Sequence, residues 1–215
     1  MRSRLTMLMV AVAFLASPGW GATLTQQLGT ADFTNGATVG SATFIGISDV
    51  APFNTISGSD PNGPNFSESW TFNGYGPVVG SVSSATLLIA SWEFDTMNTA
   101  VSHVASFDLN GILLTGVLDT AFKANPNTGN NQILWYTITL PSTTFAQLAT
   151  GSATFNLSLQ NGAGVLGATT FNGGGMDFST LTVNTAAATP EPLTAAFMIG
   201  GLAGLALLRR KRKAA

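Results

Sequence analysis

An all-β fold, two antiparallel sheets packed as a sandwich of jelly-roll type, is what the middle of this 215-residue sequence predicts. Three observations carry the expectation. Apolar and polar residues alternate with period two, the alternating runs are rich in Thr, Val, Ile, Phe and Trp, and Gly, Asn and Pro separate them. No amphipathic run of helical length stands out, which favours sheet on sheet over a mixed fold.

The strands follow in order. Candidates lie at residues 42–47 and 67–73, then at 85–95, where Leu88, Ala90, Trp92 and Phe94 fall on one side and Leu87, Ile89, Ser91, Glu93 and Asp95 on the other. That pattern reads as a central strand whose end emerges from the core. Residues 105–109 and 112–117 flank Asn110-Gly111, a strong hairpin signal because both turn positions need positive φ. Residues 133–140 form a strand stopped by Pro141. At 152–160, Ala153, Phe155, Leu157 and Leu159 point one way and Thr154, Asn156, Ser158 and Gln160 the other, so one face is core and one is wet. The last strand is near 179–183. One or two helical turns are expected at 142–149, with a hydroxyl cap at Ser142 or Thr143, Phe145 and Leu148 on one face and Gly151 just beyond. The stretch 49–66, with Pro52, Pro61 and Pro64, is longer than an ordinary connection, and Gly173-Gly174-Gly175 reads as a flexible turn.

Both ends of the chain look like addresses rather than fold. Arg2 and Arg4, an apolar run from Leu5 to Ala16, and small residues Gly19 and Gly21 ahead of a cut have the layout of a secretory signal peptide over residues 1–21. The β domain then occupies 22–184, and 185–192 is a linker ending in Pro190-Glu191-Pro192. Residues 193–208 carry no charge and make a helix of about 24 Å at 1.5 Å per residue. Such a helix spans a hydrocarbon core of about 30 Å only if flanking residues snorkel or the bilayer thins. Arg209, Arg210, Lys211, Arg212 and Lys213 follow in the 209–215 tail, which the positive-inside rule keeps cytoplasmic. The domain would thus lie outside and the tail inside.

Split by region, charge says more than the whole-chain value of −2. Lys123 alone faces nine acidic residues in the domain, for a formal charge of −8. A domain without one Arg is ill suited to a row of phosphates, so nucleic acid is not an expected partner. There is no Cys, hence no disulfide, thiolate metal site or thiol nucleophile.

Candidate chemistry within the domain is thin. His103 has no Ser or Asp arrangement around it in sequence and reads as structural. Glu93 and Asp95, two apart on one strand face, and Asp108 are candidates for Ca²⁺ ligation, although no Asp-x-Asp-x-Asp-Gly loop is present. Apart from Ca²⁺, no cofactor is expected. If Glu93, Asp95, Asp108 and Asp177 converged 5–9 Å apart in a cleft, a glycoside hydrolase would be the alternative reading. Trp70, Trp92, Trp135, Tyr75 and Tyr136 can stack on a neutral glycan or matrix polysaccharide if exposed, while Trp92 and Tyr136 fit the core-facing pattern.

The order Pro190-Glu191-Pro192, apolar helix, basic cluster resembles the PEP-CTERM sorting signal of Gram-negative, often biofilm-forming bacteria. The likeness covers 189–215. It implies export by the secretion machinery, transient membrane insertion, and processing by exosortase, a multi-pass membrane enzyme resembling a cysteine protease and transpeptidase. By this resemblance Pro190, Glu191 and Pro192 are the recognition residues, and the helix and tail are removed. The two prolines also withhold backbone donors and keep the segment extended, as a protease substrate must be. The expected function is that of a non-catalytic surface or extracellular-matrix protein, with a Ca²⁺-binding adhesive module as a further alternative.

Overall fold

The computed structural model describes residues 21–59, 63–75, 78, 80–127, 129–163 and 169–186. All but Gly21 of the expected signal peptide over 1–21, together with Pro190-Glu191-Pro192, the helix expected over 193–208 and the basic tail, lie outside the described residues. One compact unit runs from Thr23 to Thr185. Its elements are β1 (Thr23–Leu28), α1 (Ser41–Phe44), β2 (Ile56–Ser57), β3 (Ser67–Asn73), β4 (Val82–Trp92), β5 (Val104–Leu109), β6 (Ile112–Leu113) and α2 (Thr115–Ala124). Then come β7 (Ile133–Thr139), a 3-10 turn at Ser142–Thr144 leading into α3 (Phe145–Leu148), β8 (Ser152–Leu159), β9 (Gly162–Ala163), β10 (Thr169–Thr170) and β11 (Gly174–Thr185).

The strands build two larger antiparallel sheets and a small β9-β10 ladder. The first sheet has the order β1-β11-β4-β7, with β2 pairing the start of β11, and the second has the order β3-β8-β5-β6. Successive long strands therefore switch sheets, and the first and last strands are neighbours, with Thr23 opposite Asn184. The alternation seen in sequence works as expected: in β8 Ala153, Phe155, Leu157 and Leu159 are buried, and in β3 Trp70 and Phe72. Leu87 and Ile89 of β4, Tyr136 of β7 and Leu181 of β11 join them from the first sheet in one core. Phe155 lies at its centre, with ring centroids 5.7 Å from Trp70, 5.9 Å from Phe72 and 5.8 Å from Phe107. Contacts of this kind add to area burial by roughly 0.5–1.5 kcal/mol each.

The hairpin at Asn110-Gly111 forms as expected, with φ +48° and +83°. Four other expectations are overturned. Residues 42–47 are not a strand: the chain makes the single helical turn α1, which buries only Phe44 and stacks it on Trp92 at 5.0 Å. The apparent alternation there had no second apolar partner to bury, and Ile45 stays exposed. The strand expected at 112–117 ends at Leu113, and α2 follows. Leu114, Leu118 and Phe122 recur every four residues and all bury, a helical stripe that Gly116 and the preceding Ile112-Leu114 alternation disguised. The end of β4 does not emerge. Glu93 adopts φ +59° and ends the strand, so Trp92 packs into a second cluster with Val39, Phe44 and Ile133, while Phe94 turns back into the main core.

The glycine run is not a flexible turn, because Gly174 and Gly175 open β11 and are buried. A Cβ on Gly175 would sit 2.5 Å from the Phe44 ring and 2.6 Å from the Thr55 carbonyl. One on Gly174 would sit 2.6 Å from the Trp92 carbonyl, so the strand passes here only as bare backbone. The 142–149 turns form, but the residue before them is Pro141 and no side chain caps them. The long 49–66 stretch is pinned at both ends, with the Asn54 N–H donating to the Met176 carbonyl at 2.8 Å and the Phe66 N–H to that of Asn172 at 2.7 Å.

Candidate functional site

The four acids considered for a hydrolase lie on three parts of the chain: Glu93 and Asp95 after β4, Asp108 in β5 and Asp177 in β11. Glu93 and Asp95 follow β4 rather than sharing a strand face, since the positive φ at Glu93 breaks the period of two. The backbone at Asp95 is clasped by the buried amide of Asn172, whose Oδ1 accepts from the Asp95 N–H at 3.0 Å and whose Nδ2 donates to the Asp95 carbonyl at 3.2 Å. Asp108 belongs to the second sheet and staples the hairpin: its Oδ1 accepts from the Gly111 N–H at 2.9 Å and from Asn156 Nδ2 at 3.0 Å.

His103 is buried, and Nε2 donates to the Asn98 carbonyl at 2.8 Å. Its backbone N–H donates to Asp119 Oδ1 at 2.9 Å, and Asp119 also meets Lys123 at 2.7 Å, one helical turn along α2. Burial opposes ionisation of Asp119, but hydrogen bonds from Lys123, His103 and Ser102 outweigh it and hold its carboxyl below the usual range. Of the rings considered for sugar stacking, Trp70, Trp92 and Tyr136 are buried, and Tyr75 and Trp135 are half-buried. The Tyr75 hydroxyl donates to the Leu148 carbonyl at 2.9 Å, which ties it to α3.

Asp177 does find carboxylate company, from residues that sequence reasoning did not single out. It is the extra residue of a β-bulge: Met176 pairs with Ser91 and Phe178 with Ala90, leaving Asp177 unmatched against β4. Bulges re-aim side chains, and here Met176 takes the core position. The Asp177 side chain meets the segment leaving β1, where the Phe33 N–H donates to Oδ2 at 3.3 Å. Gly29 makes that crossing possible, since a Cβ there would lie 2.6 Å from the Asp177 carbonyl.

Two more aspartates close the corner. Asp49 Oδ2 accepts from the Thr30 N–H at 2.7 Å, and Asp32 Oδ2 accepts from Asn54 Nδ2 at 3.2 Å. Asn54 is itself held at φ +52°. Burial pushes the Asp177 carboxyl up to about 6; the N–H groups of Phe33 and Asp32 pull the other way, and the charges of Asp32 and Asp49 add to the rise. Asp177 Oδ1 and Asn54 Oδ1 are buried and accept no hydrogen bond. A shallow cleft of about 490 Å³ shares Gly29 and Phe53 with this corner and reaches Trp70 of β3.

The one signal in the sequence for this corner is Asp177 itself. Counted back from Val183, Leu181 and Ser179, it falls in the core-facing phase of its strand, where a lone acid calls for a special environment. Asp32, Asp49 and Asn54 carry no comparable mark.

No protein-family model, curated protein or solved structure matches the chain. Among the described residues no helix is long and apolar enough to cross a membrane.

Proposed function

We propose that the chain is an exported surface or extracellular-matrix protein, sorted through Pro190-Glu191-Pro192 and built on a non-catalytic jelly-roll sandwich. The observation that carries the reading is the order of that motif, an uncharged 193–208 segment and five consecutive basic residues, set against a signal-like N-terminus. The fold half rests on strand order. Taken along the chain, the long strands and β6 fall first, eighth, third and sixth in one sheet and second, seventh, fourth and fifth in the other, the pattern of a double Greek key.

A structural role is favoured over sugar binding or hydrolysis. Trp70, Trp92 and Tyr136 are committed to packing, and Asp108 is committed to its hairpin. A rigid, strongly acidic domain with little flexible side-chain chemistry suits a matrix component held at the cell surface. Processing would discard Arg209 to Lys213 and leave Lys123 as the only Lys or Arg up to the motif from the signal cut onward.

Expression with and without an exosortase, followed by intact mass measurement, tests the sorting half. The expected outcome is loss of 193–215 only when the enzyme is present, and its retention in a Glu191→Ala variant. A mature protein that keeps 193–215 beside an active exosortase contradicts the reading.

A further inference from the structure

We propose that the corner formed by the end of β1, the 49–54 segment and the bulge of β11 is a Ca²⁺ site, with the carboxylates of Asp177 and Asp32 and the amide oxygen of Asn54 as ligands. Asp49 stands behind them as an additional negative charge.

The first argument is unmet acceptor capacity. Asp177 is 0% and Asn54 3% exposed, and each has a side-chain oxygen that receives no hydrogen bond. A buried acceptor without a donor costs roughly 1–3 kcal/mol, more when charged, so native folds rarely leave two of them in one corner. The two belong to one cluster: Asn54 Nδ2 donates to Asp32 Oδ2, and the Asn54 N–H donates to the Met176 carbonyl next to Asp177.

The second argument is charge. Asp32, Asp49 and Asp177 are close enough for the first two to disfavour ionisation of the third, and the domain has no cation to offer them. Lys123, its only Lys or Arg, is engaged by Asp119. The neutralising charge has to come from solution.

Ligand chemistry then selects the ion. Every donor is a hard oxygen, which excludes a preference for zinc or copper and leaves Ca²⁺ or Mg²⁺. Among the described residues no three His, Asp or Glu side chains stand close enough to hold one ion by themselves. A mixed set completed by main-chain carbonyls and water is ordinary for Ca²⁺, which takes 6–8 oxygens in flexible geometry, and poor for Mg²⁺, which demands a near-ideal octahedron. This site differs from the acids that the sequence nominated, Glu93, Asp95 and Asp108, and it stands or falls independently of the sorting signal.

The test uses the full-length protein in detergent, stripped with chelator and titrated calorimetrically with CaCl₂ and, separately, MgCl₂, with thermal unfolding read in parallel. Binding of Ca²⁺ with an upward shift of the unfolding midpoint, and a weaker response to Mg²⁺, is expected. Asp177→Asn should abolish the response, and Asp32→Asn should weaken it by about tenfold or more. Asp108→Asn should leave it intact. No heat and no midpoint shift with millimolar Ca²⁺ in the wild type would overturn the proposal. So would a response that survives Asp32→Asn unchanged; that residue is exposed, so its replacement will not prevent folding even if Asp177→Asn does.

Discussion

The Asn110-Gly111 hairpin holds an aspartate, Asp108, that is paired on both sides of its strand, and the β11 bulge holds one, Asp177, that is unmatched against β4; the two treat their oxygens in opposite ways. In the hairpin, Asp108 receives two hydrogen bonds and the Asn110 amide oxygen receives the Thr154 N–H at 2.9 Å. The groups involved are exposed or half-buried, and water can complete their shells. In the bulge, Asp177 is fully buried, keeps one oxygen without a donor, and faces two like charges. The hairpin finds its partners in its own turn and on the adjacent strand β8. A corner assembled from three distant segments inherits whatever polar groups arrive there, and the chain satisfies only some of them: Asp177 Oδ2 receives the Phe33 N–H, while Asp177 Oδ1 and Asn54 Oδ1 receive nothing.

Substitutions can break this contrast. The largest expected effect is Gly29→Ala, which must accept φ +74° and a Cβ 2.6 Å from the Asp177 carbonyl and 2.8 Å from the Phe53 ring. Strain and overpacking together should cost about 2–4 kcal/mol in urea unfolding. A cost below about 1 kcal/mol would mean that the corner is loosely packed.

Asp177→Asn sharpens the contrast through pH, with chelator present. The Asp177 carboxyl rises from the ordinary 3.8 to about 6 in the folded state. Its contribution to stability is therefore fully present below pH 3.8 and is lost as pH rises through about 6. Asparagine does not titrate, so the difference between variant and wild type should move in favour of the variant by about 1–2 kcal/mol between pH 4 and 7, after allowance for solvent screening. Paired unfolding curves across that range measure it; a flat difference would mean that Asp177 ionises as freely as an exposed residue. The smallest of the three is Asn110→Ala, about 1 kcal/mol, from a left-handed backbone position and a lost acceptor for the Thr154 N–H. It should be almost independent of pH.

Much of the sheet structure was legible because the information is local. The limits of β3 coincide with the expected 67–73, β7 and β8 end one residue short of expectation, and the hairpin follows from two residues alone. Errors fell where one residue type served two patterns. Ala42 to Phe44 alternates like a strand but has only Phe44 to bury, and Gly116 hid the four-residue repeat of Leu114, Leu118 and Phe122. The glycines of β11 looked like a turn, because nothing local shows that Phe44, Phe94 and the Thr55 carbonyl will press on them. The acidic corner was the least legible of all. Asp32, Asp49, Asn54 and Asp177 are brought together by a strand crossing and a bulge, and neither leaves a mark in the spacing of residues.

The pairing of Thr23 with Asn184 places the chain's entry into the sheet beside its exit. Both ends of the unit can therefore be held at a single point, as on a stalk, with the far loops free to face outward. Pull transmitted through the residues after Thr185 would enter β11, an inner strand paired over Ser179–Asn184 to β1 on one side and over most of its length to β4 on the other. Drawn along its own axis, that strand can leave only by sliding past both neighbours at once, so the load is shared over two ladders instead of unzipping one bond at a time. On the proposed reading of the chain as a surface protein, a tether beyond Thr185 would apply its force to this doubly paired strand.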